Sequence, residues 1–587
     1  MKLRTSFFNF RVMLKNITRF APLWILYAVA EVLGVLFLGG EESQWYAREI
    51  AYLMGPVSVF HCGYGLIVAA CLFGDLFDSR MCNGLHAMPM RREGWLLTNL
   101  VSGLVFALIP ALVGGGFAAF LMGQYAWVAL IWQATSLLQF VFFFGLAVFC
   151  AMCAGKRLGM IAMYGILNFL SMLVYWVVTK LFEPLLPGVV ISNFWFVKLC
   201  PLVSVFSSTY LDFTYDKILG IFFRGFIGES FRYLYLCAGI GLVFMLFAWL
   251  LYRKRPLEKA GDFVAFRPMG IFFLLSYTFA LGVMLYSFGD LLGSYQHYGF
   301  LAVGLLIGWF TGWMLLERTV KIFTKKVLLG LVAFLVFFAG SLGLTLIDPL
   351  GIVTYIPKTE EIATASLYLQ GDIHYYNTDD SWDGWYIDDP EEIAWVQELH
   401  QAMLDTSQGS GGTQGKNYFV HQLMFKLDNL DVSGQEYITT YVQYRLKNGM
   451  EVYRTYRIPV QSQTMEELRF FFSDPRSVFS VTDYPQMKEN LRDITVYWGY
   501  KDEETILYTD TQMQALLAAV EADCKAGNMA QHAYFHGEDD YVGDIDINWD
   551  AVYKMGEMGE ISGIRSDYVT IYKDCVNTIA YLETLVK

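Results

Sequence analysis

The chain has 587 residues, of which 55% are hydrophobic and 17% aromatic, and its formal net charge is −13. The charge is divided, because residues 1–350 carry 25 Lys and Arg against 16 Asp and Glu, whereas residues 351–587 carry 17 against 39. The acidic second part would repel phosphates, which excludes nucleic acid as a partner, and the long apolar runs of the first part exclude a chain that is soluble throughout.

The first element, residues 1–19, is predicted to be an amphipathic helix that lies in the inner membrane interface. Arg11, Lys15 and Arg19 are spaced four apart, so they share one face of a helix, and apolar residues lie between them. No small-residue cleavage site follows, so the segment is not typical of a cleavable signal peptide. A solvated basic tail is the alternative.

Nine apolar stretches follow and are predicted to cross the bilayer. They occupy roughly residues 20–38, 52–74, 99–120, 129–153, 158–178, 233–252, 269–289, 298–316 and 327–347. With the N-terminus inside, 19 of the 25 basic residues fall in inner segments, which is the asymmetry that the positive-inside rule expects. The odd number of spans then puts the C-terminal part outside. The fourth and fifth stretches could instead form a re-entrant pair. Because they come as a pair, this alternative would still place the C-terminal part outside.

Two polar residues within the first two spans are candidates for lining or bracing a polar path between the helices. Glu31 lies about 10 Å from the outer end of the first span, at ~1.5 Å per residue. A carboxylate at that depth normally faces a cavity or a partner, and His61 in the second span is the predicted partner. The alternative is that Glu31 snorkels to the outer interface. The glycines at 114–116 in the third span are predicted to permit close helix packing.

The inner loop between the second and third spans is predicted to be a docking element. Its candidate residues are Asp75, Arg80, Asn83, His86, Pro89, Arg91 and Arg92. Asp75 to Leu85 predicts a short helix, Pro89 ends it, and the two arginines begin the next segment at the interface. A short helix that two spans present to the cytosol suits a partner protein. A plain connector whose arginines only orient the chain is the alternative.

This loop resembles a segment of a known family. Asn83, His86-Ala-Met-Pro89 and Arg91-Arg92, followed by an apolar run with Thr98-Asn99, are similar to the Asn…His-Ser-Leu-Pro-x-x-Arg segment of ABC-2-type transporter permeases from Gram-positive bacteria. The plan of the first 255 residues is similar too, with an elbow helix, six spans, an inner loop after the second span and a long outer loop, 179–232, after the fifth. Ala87 replaces the commoner serine. The remaining spans and the C-terminal part resemble extended members of these permeases.

The resemblance implies the permease subunit of a bacterial ABC exporter in the cell membrane. In that family the inner loop fits a groove on a separate ATPase subunit, so residues 75–94 would make this contact here. ATP and Mg would bind to that ATPase, and a second permease copy or a paralogue would complete the transporter. The nearest P-loop look-alike in this chain, residues 410–417, lacks the first glycine and has Asn417 where magnesium needs Ser or Thr. The sequence therefore predicts no cofactor in this chain and no enzyme activity of its own.

Residues 348–587 are predicted to form an extracellular α+β domain, in one piece or two. Its clearest elements are a β-hairpin with a type I′ turn at Asn448-Gly449 and three helices that begin near Asp389, Asp510 and Cys575. The acidic, tyrosine-rich surface suits a cationic peptide or a partner protein, and a passive spacer is the alternative.

Two further patterns in this domain bear on metals and cysteines. Asp544, Asp546 and Asp550 begin like a calcium loop, but its glycine and closing glutamate are missing, so an edge strand and no metal site are predicted. Cys524 and Cys575 are the two cysteines of the domain, and an external compartment would permit a disulfide between them. Two cysteines alone leave that bridge open.

The predicted organisation is an elbow helix at 1–19, a six-helix permease core at 20–255, three additional spans at 256–347 and the extracellular domain at 348–587. The predicted partners are an ABC-type ATPase, a second permease subunit and the lipid bilayer. A membrane sensor or scaffold with a ligand-binding outer domain is the alternative function. An integral membrane enzyme is a third, which no catalytic cluster in the sequence supports. Detection of an ATPase that contacts residues 75–94 would distinguish the permease from the sensor or scaffold.

Overall fold

The chain divides into two compact units, each described by itself below. The structure, a computed structural model, describes residues 8–38, 43–87, 91–208, 212–216, 220–225, 228–291, 297–369, 387–409, 437–479, 484–498, 503–531, 535–536, 540–554 and 560–585. The first unit comprises residues 1–181 and 193–340, and the second comprises 182–192 and 341–587. A short piece of the long loop after the fifth predicted span therefore belongs to the C-terminal unit.

The first unit is almost entirely helical. Its described α-helices are α1 (Phe10–Arg19), α2 (Ala21–Phe37), α3 (Ser43–Leu53), α4 (Val57–Leu72), α5 (Ser79–Ala87), α6 (Arg92–Met122), α7 (Ala126–Cys153), α8 (Arg157–Asn168), α9 (Leu170–Val177), α10 (Phe194–Lys198), α11 (Pro201–Ser208), α12 (Gly228–Lys254), α13 (Arg267–Leu291), α14 (His297–Glu317) and α15 (Lys325–Ile347), and the last turns of α15, from residue 341, belong to the second unit. A small hairpin of β2 (Asp212–Asp216) and β3 (Gly220–Gly225) precedes α12.

Several of these helices have the length and apolar composition of membrane spans. Within the described ranges, five helical stretches qualify, or up to eight if each bent helix pair counts as one span. The bent pairs are α1 with α2, α3 with α4 and α8 with α9, with bends of 62°, 57° and 63°. One of the five stretches, Arg92–Cys153, contains both α6 and α7. These two helices run antiparallel, because Gly103 lies against Phe144 and Gly115 against Gln133.

Helix α7 is the central helix of the first unit. Its residues 142–148 are all buried, including three consecutive phenylalanines. Three neighbouring helices approach its backbone or rings at glycines: Gly65 of α4, Gly103 of α6 and Gly241 of α12. Small residues let apolar helices come close where lipid supplies no hydrophobic driving force for association. Of the glycines at 114–116 that the sequence points to, Gly114 packs closely against the Glu31 side chain of α2 and Gly115 against Gln133 of α7.

The second unit contains two four-stranded antiparallel sheets with helices. Its described strands are β1 (Val189–Val190), β4 (Ile362–Leu369), β5 (Tyr437–Leu446), β6 (Glu451–Pro459), β7 (Leu491–Trp498), β8 (Glu503–Leu507), β9 (Tyr541–Lys554) and β10 (Glu560–Tyr572). Its described α-helices are α16 (Pro390–Gly409), α17 (Gln463–Phe472), α18 (Pro475–Val478), α19 (Tyr484–Glu489), α20 (Asp510–Lys525) and α21 (Val576–Leu585). The α+β class predicted for this part of the chain is confirmed.

The same module occurs twice in the second unit. In the first module the strand order is Ile387, β4, β5, β6, with α16 before β5 and α17 after β6. In the second module the order is β8, β7, β9, β10, with α20 before β9 and α21 after β10. All neighbouring pairs are antiparallel. Strand β1, from the segment 182–192, extends the first sheet by pairing with β6. The sequence shows no repeat here, because the two modules share topology but not residues.

Two predictions for this unit need correction. The β-hairpin of β5 and β6 is present, but its turn is not type I′, which requires positive φ at both central residues. Gly449 has φ 81°, whereas the positive-φ non-glycine residues of the described ranges are Arg318 and Asp348, so Asn448 is not among them. Strand β9, which carries Asp544, Asp546 and Asp550, is not an edge strand. It lies between β10 and β7 in the second sheet. Alternating acids indicate that a strand has one polar face, which a central strand can have as well as an edge strand.

The predicted helices of the second unit begin close to where the sequence places them. Asp389 caps α16 by accepting hydrogen bonds from the backbone of Glu391 and Glu392 at 3.2 and 3.3 Å. The buried carboxylate of Asp523 accepts four hydrogen bonds from the backbone and side chains of Asn577 and Thr578, in the first turn of α21. This second cap joins α20 to α21 across more than fifty residues of sequence.

Candidate functional site

The inner loop consists of two short helical pieces. A single helical turn at Gly74–Phe77 precedes α5, and Asp78 separates them in an extended conformation. Asp78 Oδ1 accepts hydrogen bonds from the backbone of Arg80 and Met81, at 2.8 and 3.1 Å. The prediction of one helix from Asp75 to Leu85 is therefore wrong. Asp78 acts as a cap and starts a new helix.

Three of the seven predicted docking residues are exposed. They are Arg80, Asn83 and Arg91, whereas Asp75 and Arg92 are half-buried. Arg91 precedes α6 in an extended conformation, and Arg92 is the first residue of that helix. The side chain of His86, although within α5, and the whole of Pro89 lie outside the described residues.

The inward side of the loop is fixed to the spans by apolar burial. Leu76, Phe77 and Cys82 are buried against the first unit. An aromatic row continues from the end of α4 to the end of α12, with ring centroids 5.5 Å apart for Phe73 and Trp95 and 5.6 Å for Trp95 and Tyr252. The loop is thus firmly seated on its inner side and accessible on its outer side.

A buried arginine lies beneath the same loop. Arg255 follows α12 and is only 3% exposed. Its Nη1 donates to the carbonyl oxygens of Ala151 and Met152 at 2.6 and 3.2 Å, and its Nη2 donates to the carbonyl oxygen of Leu76 at 3.1 Å. The first two acceptors lie in the last turn of α7, where carbonyl groups lack helical partners and the helix dipole is negative.

The segment after Arg255 continues this inner platform. Its backbone pairs with the α7–α8 turn, through hydrogen bonds of Gly261 to Gly155 and of Ala265 to Cys153, both of 2.7 Å. Asp262 in this segment accepts hydrogen bonds from Lys259 at 3.0 Å and from Arg318, after α14, at 2.5 Å. Burial alone would raise the pKa of Asp262, but these two cations hold it below its ordinary value. The platform thus joins the ends of α7, α12 and α14.

The Thr98-Asn99 pair, part of the family resemblance, fixes α1 to α6. Asn16 of α1 donates to Asn99 Oδ1 at 2.8 Å and to Ser102 at 3.2 Å. The backbone of Asn9, the cap of α1, donates to Thr98 at 3.1 Å. The opposite face of α1 carries Arg11, Lys15 and Arg19, all exposed, as an interfacial helix requires.

A line of hydrogen-bonded polar side chains lies among the helices of the first unit. His61 of α4 is fully buried, with Tyr27 Oη 2.7 Å from its Nε2 and Gln139 Oε1 2.8 Å from its Nδ1. Gln139 of α7 in turn donates to the carbonyl oxygen of Met54 at 2.8 Å. Since both ring nitrogens are occupied in this way, the predicted direct partnership of His61 with Glu31 is wrong. Tyr27, one turn before Glu31 on α2, takes that place.

Glu31 itself is buried at 8% exposure, so its side chain is not directed to the surface. It lies beside Tyr27 and Gln133, and its carboxylate is so close to Gly114 that a Cβ there would overlap it. Glu31 Oε2 and both amide atoms of Gln133 have no hydrogen-bond partner in the described part of the chain. Buried polar atoms are nearly always paired, so this group is a candidate functional site among the helices.

Glu31→Gln is expected to stabilise the purified chain by about 1 kcal/mol or more, because an amide of the same shape is cheaper to bury than a carboxylate whose Oε2 has no hydrogen-bond partner. Thermal unfolding of the purified chain in detergent checks this.

Glu49→Gln is the matched control, because Glu49 is a half-exposed carboxylate paired with Arg48 at 3.0 Å. It should leave the stability close to that of the native chain. A Glu31→Gln variant that unfolds at the native temperature would mean that the Glu31 carboxylate is not costly to bury.

The remaining predicted sites lie in or near the second unit. Cys524 and Cys575 are both buried in the core of the second module and are free thiols in the structure. Burial raises the pKa of Cys575 to about 12 and that of Cys524 further, so both thiols stay protonated at neutral pH. Among the described residues no group of three His, Cys, Asp or Glu side chains is arranged to hold a metal ion. The P-loop look-alike at 410–417 lies outside the described residues.

Sequence reasoning missed three of the residues that organise these sites. Gln133 and Gln139 are polar residues within an otherwise apolar span, and that rarity was the available signal. Arg255 gave no such signal, since it follows Arg253 and Lys254 and is indistinguishable in sequence from an arginine that orients the span.

The apolar helices and their buried polar line define the class: this is an α-helical membrane protein with a separate sheet-containing unit. No family model matches the chain, and neither the curated proteins nor the solved structures include a significant match to it.

Proposed function

We propose that this chain is the membrane-spanning permease subunit of a bacterial ABC-2-type exporter, which couples ATP hydrolysis on a separate ATPase subunit to movement of a substrate across the cell membrane. The observation that carries the proposal is the inner loop at residues 75–94. It offers exposed Arg80, Asn83 and Arg91, while its buried Leu76 accepts a hydrogen bond from Arg255, which also donates to the last turn of α7. A partner that pushes on this loop therefore pushes on α4, α7 and α12 together.

The proposed topology has nine spans, an inner N-terminus and an extracellular second unit. Counting α6 and α7 as separate crossings, because they are antiparallel, and each bent pair as one gives nine. The pairing of β1 with β6 supports the parity of this count. Val189 and Val190 come before α12 in the chain, and β6 comes after α15, so four long helices separate two strands of one sheet. An even number of crossings returns the chain to the same side of a membrane.

In this proposal two permease subunits, identical or paralogous, each receive one ATPase. Closure of the ATPase dimer on ATP and Mg displaces the two inner loops and tilts the spans against each other. The polar line of Glu31, Tyr27, His61 and Gln139 lies among the helices that move, where buried ionisable side chains typically mark a substrate path.

Arg91→Glu combined with Arg92→Glu is expected to lower the amount of co-purifying ATPase at least about tenfold, since two charge reversals at a contact cost well over the ~1.4 kcal/mol that a tenfold loss requires. The native chain, extracted from its own membrane in mild detergent, is compared with this variant, and the co-purifying proteins are identified by mass spectrometry.

Lys156→Glu serves as the matched control, because Lys156 is an exposed basic residue of the neighbouring α7–α8 turn outside the docking loop. It should keep the ATPase. An ATPase that is absent from a well-folded native preparation contradicts the permease proposal, as does one that the double variant retains in full.

A membrane sensor or scaffold is the second candidate, and the architecture of the second unit favours it. Two modules of one topology, one of them extended by a strand from the loop at 182–192, would connect ligand binding on this unit to the helices that follow. In that case no ATPase co-purifies with the native chain, and the double variant gives the same result.

A further inference from the structure

Arg255 differs from its neighbours at the inner end of α12 in being buried. Arg253 and Lys254, which precede it, are exposed, whereas Arg255 is 3% exposed. In the described part of the chain no carboxylate pairs with it. Three backbone carbonyl oxygens take its donors instead, and the partial charge of the α7 terminus offsets its own. A cation is rarely buried without an anion, so a stability role alone explains it poorly.

The three acceptors belong to two different elements. Ala151 and Met152 are in the last turn of α7, the central helix, while Leu76 is in the turn that begins the inner loop. Arg255 itself is the first residue after α12. One planar guanidinium therefore joins the loop to two spans through donors in a fixed geometry, which a lysine ammonium cannot reproduce.

We propose that Arg255 is the positioning residue that transmits movement of the inner loop to α7 and α12. This rests on the proposed function, because the force on the loop comes from the ATPase. When the ATPase displaces the loop, the hydrogen bond at the Leu76 carbonyl displaces the guanidinium of Arg255. The hydrogen bonds from the guanidinium to Ala151 and Met152 then displace the end of α7. The contact surface for the ATPase is elsewhere, on Arg80, Asn83 and Arg91, so binding and transmission are separable.

The test compares the native chain with Arg255→Lys, Arg255→Gln and the control Lys254→Gln, each purified with its co-purifying ATPase. Hydrogen exchange is followed in peptides covering residues 73–82 and 146–153, with and without ATP. In both Arg255 variants the ATPase is retained at the native ratio. Exchange in the loop becomes about tenfold faster, as expected for the loss of one well-formed hydrogen bond. The ATP-dependent change in the α7 peptides disappears. Lys254→Gln keeps all three native readouts.

The outcomes separate this inference from the proposed function. If the native chain brings no ATPase, the proposed function fails, and the loop and α7 peptides of the chain alone still show whether Arg255 joins them. If Arg255→Lys keeps the ATP-dependent change in α7, a fixed guanidinium is not needed and the inference is overturned. Loss of the ATPase from a well-folded Arg255→Lys would also overturn it, because Arg255 would then act in binding.

Discussion

Gly145→Ala is expected to destabilise the membrane unit by about 3 kcal/mol or more, at the upper end of the range for overpacking. Gly145 of α7 faces Gly241 of α12, and a Cβ on Gly145 would overlap the backbone carbonyl oxygen of Gly241. A Cβ on Gly241 would in turn lie 2.6 Å from Phe142 Cα and 2.7 Å from the carbonyl oxygen of Val141. Both obstacles are backbone atoms, so no side chain can rotate away and the two helices themselves must separate.

Thermal unfolding of the purified chain in one detergent measures this effect, and Gly239→Ala on α12 is its matched control. Within the described part of the chain, a Cβ on Gly239 would meet no atom of another element within 4 Å. Alanine is also the better helix former by about 1 kcal/mol, so the control should unfold at the native temperature or slightly above it. Equal losses in the two variants would mean that α7 and α12 do not meet at these glycines.

The long apolar helices were predictable because a single physical requirement, apolar length, decides them. Helices α6, α7, α12, α13, α14 and α15 all contain the predicted stretches or overlap them closely. The breaks within the bent helix pairs were harder to predict, because a hydropathy window averages over a bend. The 57° break between α3 and α4 lies at Gly55-Pro56, a signal that was present, whereas the break at Phe169 has no such residue and is decided by packing.

Polar contacts within the membrane unit were only half predictable. The rarity of a carboxylate and an imidazole in apolar spans pointed to Glu31 and His61, and both are buried. Their partners could not be chosen from one sequence, because that choice depends on how α2, α4 and α7 are rotated about their axes. The structure shows Tyr27 and Gln139 as the partners of His61, and these are common residue types with little sequence signal.

The second unit shows what local sequence patterns can and cannot supply. Caps and periodicity predicted α16, α20 and α21, since these signals act within a few residues. The alternation of acids in β9 predicted a strand but not its place in the sheet, which depends on pairing with residues far away in sequence. The contribution of Val189 and Val190 to the first sheet is of the same kind, and two valines in a long loop carry no such information.

The first module is expected to lose stability as the pH falls below about 6.5, because of one buried histidine. His400 of α16 lies between two tyrosine hydroxyls, with Tyr456 Oη 2.8 Å from its Nε2 and Tyr444 Oη 3.1 Å from its Nδ1. Burial, together with the nearby guanidinium of Arg454, lowers the pKa of His400 from 6.5 to about 3. Between these two values the unfolded chain binds more protons than the folded one. The free energy of unfolding therefore falls by about 1.4 kcal/mol for each pH unit of acidification, and it is fully restored above the unfolded pKa.

Hydrogen exchange of the amides of β5 and β6 in the intact chain, corrected for the intrinsic pH dependence of exchange, measures this slope. From about pH 6.5 to about pH 5 the local free energy of opening should drop by about 2 kcal/mol.

His400→Gln should be less stable at neutral pH, because it loses the shape of the imidazole and its ring contact with Tyr444. The dependence of its stability on pH in this window should be nearly flat. His536→Gln is the matched control. His536 stacks on Tyr572 in the second module, so this variant should keep the native slope in β5 and β6. A native slope that survives in His400→Gln would assign the acid sensitivity to other groups, and the absence of a slope in the native chain would mean that His400 is not held neutral between its tyrosines.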